Sequence, residues 1–449
     1  RICRCGCVYA PAKVEPNYDG YRVSGPLHFR SGTVETFRRP GFLTAGWRPD
    51  RHFAPLDGLR GIAILLVLIH HFGAVMTPAS HVDYLFLHVT GWAWVGVDLF
   101  FVLSGFLITG ILLESIDDPR YYRTFYARRA LRVFPLYYAF LLALSFIILP
   151  LIRLLAAHGV VSVGAEWLGN PVTRQPQIWL YMTNHLIALR GFAAVPAFTA
   201  VFWSLAVEEQ FYLVWPTVVR NMQREYLLWF SYAAIVVAFC FRVWIHFSGT
   251  WSPDAAYVLT LARMDALAVG AVIAMLVRRP DAVVRLRRWL PWTALASVVS
   301  LLAVGIARGG FYSWDPFVQI FGLSATALAF GTLLTSSVVS RGDSRWNRIL
   351  SARWLRAFGK YSYGMYVLHS PVNWIGEHFY QRYHPPQVFG SAIPGGVSYM
   401  MVGFAASFGV AWASWRFLES SFLSLKRYFP VHTMPALGAA DTAAMNAEA

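Results

Sequence analysis

About ten apolar stretches recur along this chain, each close to the ~20 residues that a helix needs to cross a hydrocarbon core of ~30 Å. They lie roughly at 57–76, 90–113, 133–152, 201–219, 227–247, 256–277, 289–307, 316–338, 358–380 and 397–418. Runs such as Gly61 to Ile69 and Ala139 to Leu149 hold no charged residue at all. Only 14% of the 449 residues are charged, whereas soluble chains carry about 25%. The 18 Trp and 22 Tyr add rings with one apolar and one polar end, which settle at membrane–water interfaces. A soluble globular protein is excluded. The expectation is an all-α fold, a polytopic transmembrane helix bundle of about ten spans.

The charge pattern sets the expected topology. One set of loops carries Arg120, Arg123, Arg128, Arg129 and Arg132, then Arg220 and Arg224, then Arg278, Arg279, Arg285, Arg287 and Arg288, then Arg341, Arg345, Arg348, Arg353 and Arg356. The alternate loops at 77–89 and 248–255 have no Lys or Arg. By the positive-inside rule the basic loops and both termini are cytoplasmic, in a multi-pass protein of the inner (plasma) membrane. The net charge of +15 is thereby topological, with no nucleic-acid partner implied. Ile178 to Leu189 is too short to span and reads as re-entrant. Residues 1–50 are polar, rich in Gly, Pro and Arg, and lack the apolar core of a signal peptide. They read as a disordered extension, 51–429 as the membrane domain and 430–449 as a flexible tail. Cys3, Cys5 and Cys7 crowd together without a disulfide framework or metal site, and Cys240 reads as core. The lack of a matched pair of Gly/Pro-broken spans weakens a transporter reading.

Ionisable groups inside such spans are expensive and point to function. In the first span Asp57 reads as an N-cap. Arg60 and His71 are eleven residues apart, which puts them on one helix face about 16 Å apart along the axis. His70 turns about 80° away from that line. Helix-rise bookkeeping from each predicted end sets Asp98, Glu208, Arg263, Asp265 and His369 near the depth of His71, in one polar layer of the outer half. Asp98 is then expected within hydrogen-bond or one-water reach of His71. Ser104 and Gly105 read as small residues that let helices approach. Trp203 and Trp215 read as belt residues, and Asn184 and His185 as a surface loop.

Five stretches in order carry a family resemblance. They are Arg60 with His71; Gly96-Val97-Asp98-Leu99-Phe100-Phe101-Val102-Leu103-Ser104-Gly105; Phe125-Tyr126-Ala127-Arg128-Arg129-Ala130-Leu131-Arg132; Trp203-Ser204-Leu205-Ala206-Val207-Glu208-Glu209-Gln210-Phe211-Tyr212; and Tyr361-Ser362-Tyr363-Gly364-Met365-Tyr366-Val367-Leu368-His369. Over about residues 52–428 the chain resembles the acyltransferase family 3 membrane proteins, which O-acylate sugars and other acceptors. No hydrolase-like domain is expected to follow. The resemblance implies that His71 is the base or proton shuttle and Arg60 its partner. It implies that Arg129 and Arg132 handle the acyl donor, and two arginines one turn apart can clamp the phosphates of a coenzyme A.

The expected function is an integral membrane O-acyltransferase. It would move an acyl group, acetyl first, from acyl-CoA (acetyl-CoA) to a carbohydrate or glycosylated acceptor. Its catalytic residues are His71, Arg60, Asp98 and Glu208, and its substrate-binding residues are Arg129, Arg132, Arg263, Asp265 and His369. The partners are acyl-CoA, the acceptor and the lipid bilayer, with no permanently bound cofactor and no metal. The alternative is a proton-coupled transporter or flippase that uses the same groups as a relay.

Overall fold

A computed structural model describes residues 53–159, 175–383 and 387–430. The expected disordered extension, Cys3, Cys5, Cys7 and nearly all of the expected tail lie outside them. The described residues are helical, with no named strand among them. The main helices are α1 (Ala54–Gly73), α2 (His81–Gly91), α3 (Gly96–Glu114), α4 (Tyr121–Ala143), α5 (Leu149–Ala157), α6 (Thr183–Arg190) and α7 (Phe202–Asn221). There follow α8 (Arg224–Ser248), α9 (Met264–Leu276), α10 (Pro280–Arg308), α11 (Leu323–Val339), α12 (Arg353–Tyr383) and α13 (Ile393–Ser414).

Seven of the ten expected spans fall on helical stretches long and apolar enough to cross a membrane. The other three fall on α7, α9 and α12. The helix α9 has only 13 residues, while α7 and α12 are diluted by polar runs such as Glu208-Glu209-Gln210 and Ser362-Tyr363. Those runs face other helices rather than lipid, so they need not be apolar.

The basic loops gather at one end of the bundle. There Arg220 donates to the Ile116 carbonyl at 3.0 Å, Arg278 pairs with Glu114, Arg287 donates to the Val339 carbonyl at 2.6 Å, and Arg128 reaches the Phe429 carbonyl at 2.9 Å. At the other end the Trp94 indole donates to the Phe311 carbonyl at 2.8 Å. There too Asp83, fully buried, accepts from Ser391 and from the Ala392 amide. Alternation of these two sets of contacts is what up-and-down helices with short loops require.

The centre is built by close backbone approach. A Cβ on Gly105 would overlap the carbonyl of Leu267, and one on Gly270 the carbonyl of Val102. So α3 and α9 touch backbone to backbone, as small residues permit in membranes. The outer helices turn apolar side chains outward, among them Val284, Leu295, Val299 and Ile306 of α10. Trp229, Trp289, Trp292 and Trp354 are exposed on the helix halves nearer the basic end, where a belt belongs. Trp203 and Trp215, expected in such a belt, are instead buried. Their rings face inward, and the Trp215 indole donates to Thr109 at 2.9 Å. Cys240, expected in the core, is exposed on α8. Ile178 to Leu189, expected to be re-entrant, falls on a helical turn at Pro176–Trp179 followed by α6, with Ile178 and Ile187 fully buried.

Candidate active site

Two cavities lie in sequence through the bundle. The inner one, about 70 Å³, is lined by Arg60 of α1, Arg129 and Arg132 of α4, Ser104 of α3, and Glu208, Glu209 and Tyr212 of α7. Arg129 and Arg132 sit on a helix rather than a loop, and one turn of α4 aims both into the same space. The Arg129 guanidinium stacks 4.3 Å from the centre of the Tyr212 ring, which holds the fork while leaving its N–H groups free. The Tyr212 hydroxyl donates to Ser104 at 2.9 Å, and Ser104 donates to Glu208 at 2.5 Å. Ser104 is therefore part of the site, whereas Gly105 alone is the helix-contact residue.

The outer cavity, about 750 Å³, is lined by His70 and His71 of α1 together with Trp94, Phe192, Trp203, Tyr257, Tyr366 and Ser370. His71 Nδ1 lies 2.9 Å from the Val67 carbonyl one turn back. A carbonyl only accepts, so Nδ1 carries the proton and Nε2 keeps its lone pair. His369 repeats the arrangement. Its Nδ1 is 2.8 Å from the Tyr366 carbonyl, and its buried Nε2 has no hydrogen-bond partner. The two rings meet edge to face with centres 4.7 Å apart. His70, expected to turn about 80° away from the Arg60–His71 line, also lines the cavity, with its ring 5.1 Å from that of His71. Of the two neighbouring histidines, His71 is the one whose ring meets His369.

The expected single polar layer resolves into three separate groups. His71 lines the outer cavity with the buried His369 ring against it, and Glu208 lines the inner one. The remaining charges neutralise each other: Arg263 pairs with Asp98 at 2.6 Å, and Arg242 with Asp265 at 2.8 Å, all four side chains essentially inaccessible. Asp98 therefore does not hydrogen-bond to His71, and neither Asp98 nor Arg263 lines the cavity that contains it. Asp265 lines a different, mostly apolar crevice between α8, α9, α10 and α11. Burial makes an unpaired charge so costly that each carboxylate takes the nearest arginine. At His71 the hydrogen bond of the ring's Nδ1 goes to the Val67 carbonyl.

Two further readings change. Asp57 lies in the first turn of α1, whose N-cap is Phe53. Asn184 is buried, donating to Thr260 at 3.0 Å and accepting from Gln210 at 3.0 Å. This ties α6 to α7. Burial beside that network pushes the His185 imidazole below its ordinary value.

Glu209, Tyr212 and Tyr366, to which the sequence assigns no role, also line the inner cavity. Adjacent residues on a helix point ~100° apart, yet Glu208 and Glu209 both line the inner cavity. They share it because the cavity wraps around that face of α7.

The comparisons with known proteins bear on this arrangement. The acyltransferase 3 family model, described as an acyltransferase domain, matches residues 53–416, a stretch that contains both cavities. The chain belongs to that family. Among relatives of this chain, O-acetyltransferase OatA of Staphylococcus aureus is 25% identical over 362 residues, covering 76% of this chain and 54% of the relative. Peptidoglycan O-acetyltransferase OatA of Listeria monocytogenes is 26% identical, covering 72% of this chain and 50% of the relative. The chain thus spans about half the length of the curated relatives it matches. No solved structure matches it.

Proposed function

We propose that this acyltransferase is an inner-membrane O-acyltransferase that moves an acetyl group from acetyl-CoA to a hydroxyl of a carbohydrate acceptor. One observation carries the reading: an arginine-lined cavity and a histidine-lined cavity meet end to end, sharing Val97 and Tyr366. Arg60, Arg129 and Arg132 suit the phosphates of the donor, whose extended arm then reaches the outer cavity. Trp94, Trp203 and Tyr257 offer flat apolar faces for the acceptor's rings. The printed names of the relatives, O-acetyltransferase and peptidoglycan O-acetyltransferase, support acetyl as the group and a cell-wall glycan as the acceptor class.

In the proposed reaction the acceptor O–H gives its proton to His71 Nε2 as its oxygen attacks the thioester carbonyl. The new C–O bond forms, the C–S bond breaks, and coenzyme A leaves as a thiolate. The imidazolium returns the proton to that sulfur, so an alcohol and a thioester become an ester and a thiol. His369 stacks on His71 and supports the ring that carries the transient charge. The test is thiol release from acetyl-CoA by the purified detergent-solubilised protein, with labelled acetate followed into added glycan. Release that depends on glycan is the expected result. Glycan-independent proton flux without thioester cleavage would overturn it.

A further inference from the structure

This inference rests on the acyl-CoA reading above and concerns how the far end of the donor is recognised. Elsewhere in the bundle buried cations meet carboxylates: Arg263 pairs with Asp98, Arg242 with Asp265 and Arg278 with Glu114. The inner cavity is different. Arg60, Arg129 and Arg132 line it half-buried, and among the described residues none of the three forms an ion pair. Glu208, Glu209 and Glu419 face them at longer range, while Ser104 donates to Glu208 and Ser414 to Glu419. Like charges gathered in a half-buried space repel one another, and a polyanion relieves that repulsion.

A fourth cation joins this group from the far end of the chain. Lys426 lies in the 3₁₀ turn Leu425–Tyr428, and α4 holds that turn in place. Arg128 Nη1 donates to the Phe429 carbonyl at 2.9 Å and lies 3.5 Å from the Lys426 carbonyl. The Arg123 guanidinium sits 5.9 Å from the centre of the Phe429 ring. The Lys426 side chain is half-buried, within electrostatic reach of Arg132, Arg128, Arg129 and Arg60. Among the described residues no carboxylate pairs with it. A long side chain ordered against four arginines repels all of them unless an anion lies between.

The order of groups along a coenzyme A thioester decides which anion that is. Outward from the sulfur come the pantetheine arm, the diphosphate, and then the ribose with its 3′-phosphate. With the thioester near His71, the diphosphate falls to the arginines inside the cavity. The 3′-phosphate comes last, nearer the basic surface, where Leu425, Arg427 and Tyr428 beside Lys426 are exposed. We propose that Lys426 is the donor-specificity residue of the enzyme: its ammonium binds the ribose 3′-phosphate of acyl-CoA, on a turn that Arg128 holds against α4. A compact ammonium serves a phosphate as a point charge and needs no fixed fork geometry. Lys426 takes no part in bond making.

The test compares thiol release from acetyl-CoA and from 3′-dephospho-acetyl-CoA, with a neutral N-acetylglucosamine oligosaccharide as acceptor probe and the full chain in detergent. Wild type should prefer acetyl-CoA by about tenfold or more in kcat/KM, the worth of one charge-assisted contact. Lys426→Gln should reduce that preference by about tenfold or more, through KM rather than kcat, because the 3′-phosphate is bound equally before and during transfer. Lys426→Arg keeps the charge and should retain most of the preference. Lys360→Gln removes a lysine that lies 4.0 Å over the Trp415 ring and should keep the wild-type ratio. The ratio of the two donors is independent of how much protein is folded. A wild type indifferent to the 3′-phosphate, or a Lys426→Gln ratio equal to that of wild type, would overturn the proposal. Absence of thiol release from wild type with both donors would instead strike the acyl-CoA reading itself.

Discussion

Truncating Asp98 to alanine separates a structural carboxylate from a catalytic one. Asp98 and Arg263 approach to 2.6 Å with both side chains essentially inaccessible. At that distance and an effective dielectric of about 20, their attraction is about 6 kcal/mol. Desolvation of both ions offsets most of it, so the pair adds little net stability. Removing one partner is different. Among the described residues Arg263 Nε and Nη1 have no hydrogen-bond partner, so Asp98→Ala leaves a buried cation facing the rings of Phe101, Trp203 and Tyr257 at 5.3–5.8 Å. The expected cost is about 3–5 kcal/mol. The double variant Asp98→Leu with Arg263→Met should recover most of that loss, because an apolar pair of similar bulk carries no desolvation cost. Reversible SDS titration in mixed micelles measures both. A loss below about 1 kcal/mol in Asp98→Ala, or no recovery in the double variant, would refute the ion-pair argument. A stable double variant with no acetyl transfer at all would return Asp98 to the chemistry.

Three other outcomes are expected. His71→Ala should lower transfer per folded molecule by about 10²–10⁴-fold, the worth of a positioned general base, while His70→Ala lowers it only a few-fold. The check is labelled acetate incorporation normalised to folded protein, and a dead His70→Ala beside an active His71→Ala reverses the assignment. Replacing Arg129 and Arg132 together by Gln should weaken acetyl-CoA binding by about 100-fold or more, two charge-assisted contacts being lost. The same change at Arg285 and Arg287, where Arg285 pairs with Asp281 at the surface and Arg287 with the Val339 carbonyl, should have little effect on binding by equilibrium dialysis. Gly105→Val should destabilise the fold by about 3 kcal/mol, the upper end of overpacking. Its side chain would meet the Leu267 carbonyl rather than a movable side chain, and thermal aggregation in detergent reads this out.

Much of this protein was legible from the chain alone, for a local reason. A span is an apolar stretch of sufficient length, and a basic loop is a run of arginines. Both are properties of contiguous residues, so the all-α bundle and the clustering of basic loops at one end needed no tertiary information. The eleven-residue interval from Arg60 to His71 was readable along one helix, but the chain alone put Arg129 and Arg132 on a loop where the structure has a helix, and it did not show that Arg60 and His71 line different cavities. What one helix cannot state is which face of another helix it meets. Asp98 takes Arg263 and not His71 because α9 packs so closely on α3, through Gly105 and Gly270, that a cation arrives there first. His369 comes to His71 only where α12 lies along α1. Tyr366 stands at the junction of the cavities because α3, α7 and α12 converge on it. Depth along a helix axis follows from residue count; the partner across the gap follows from packing between segments far apart in the chain, and only the tertiary structure decides it.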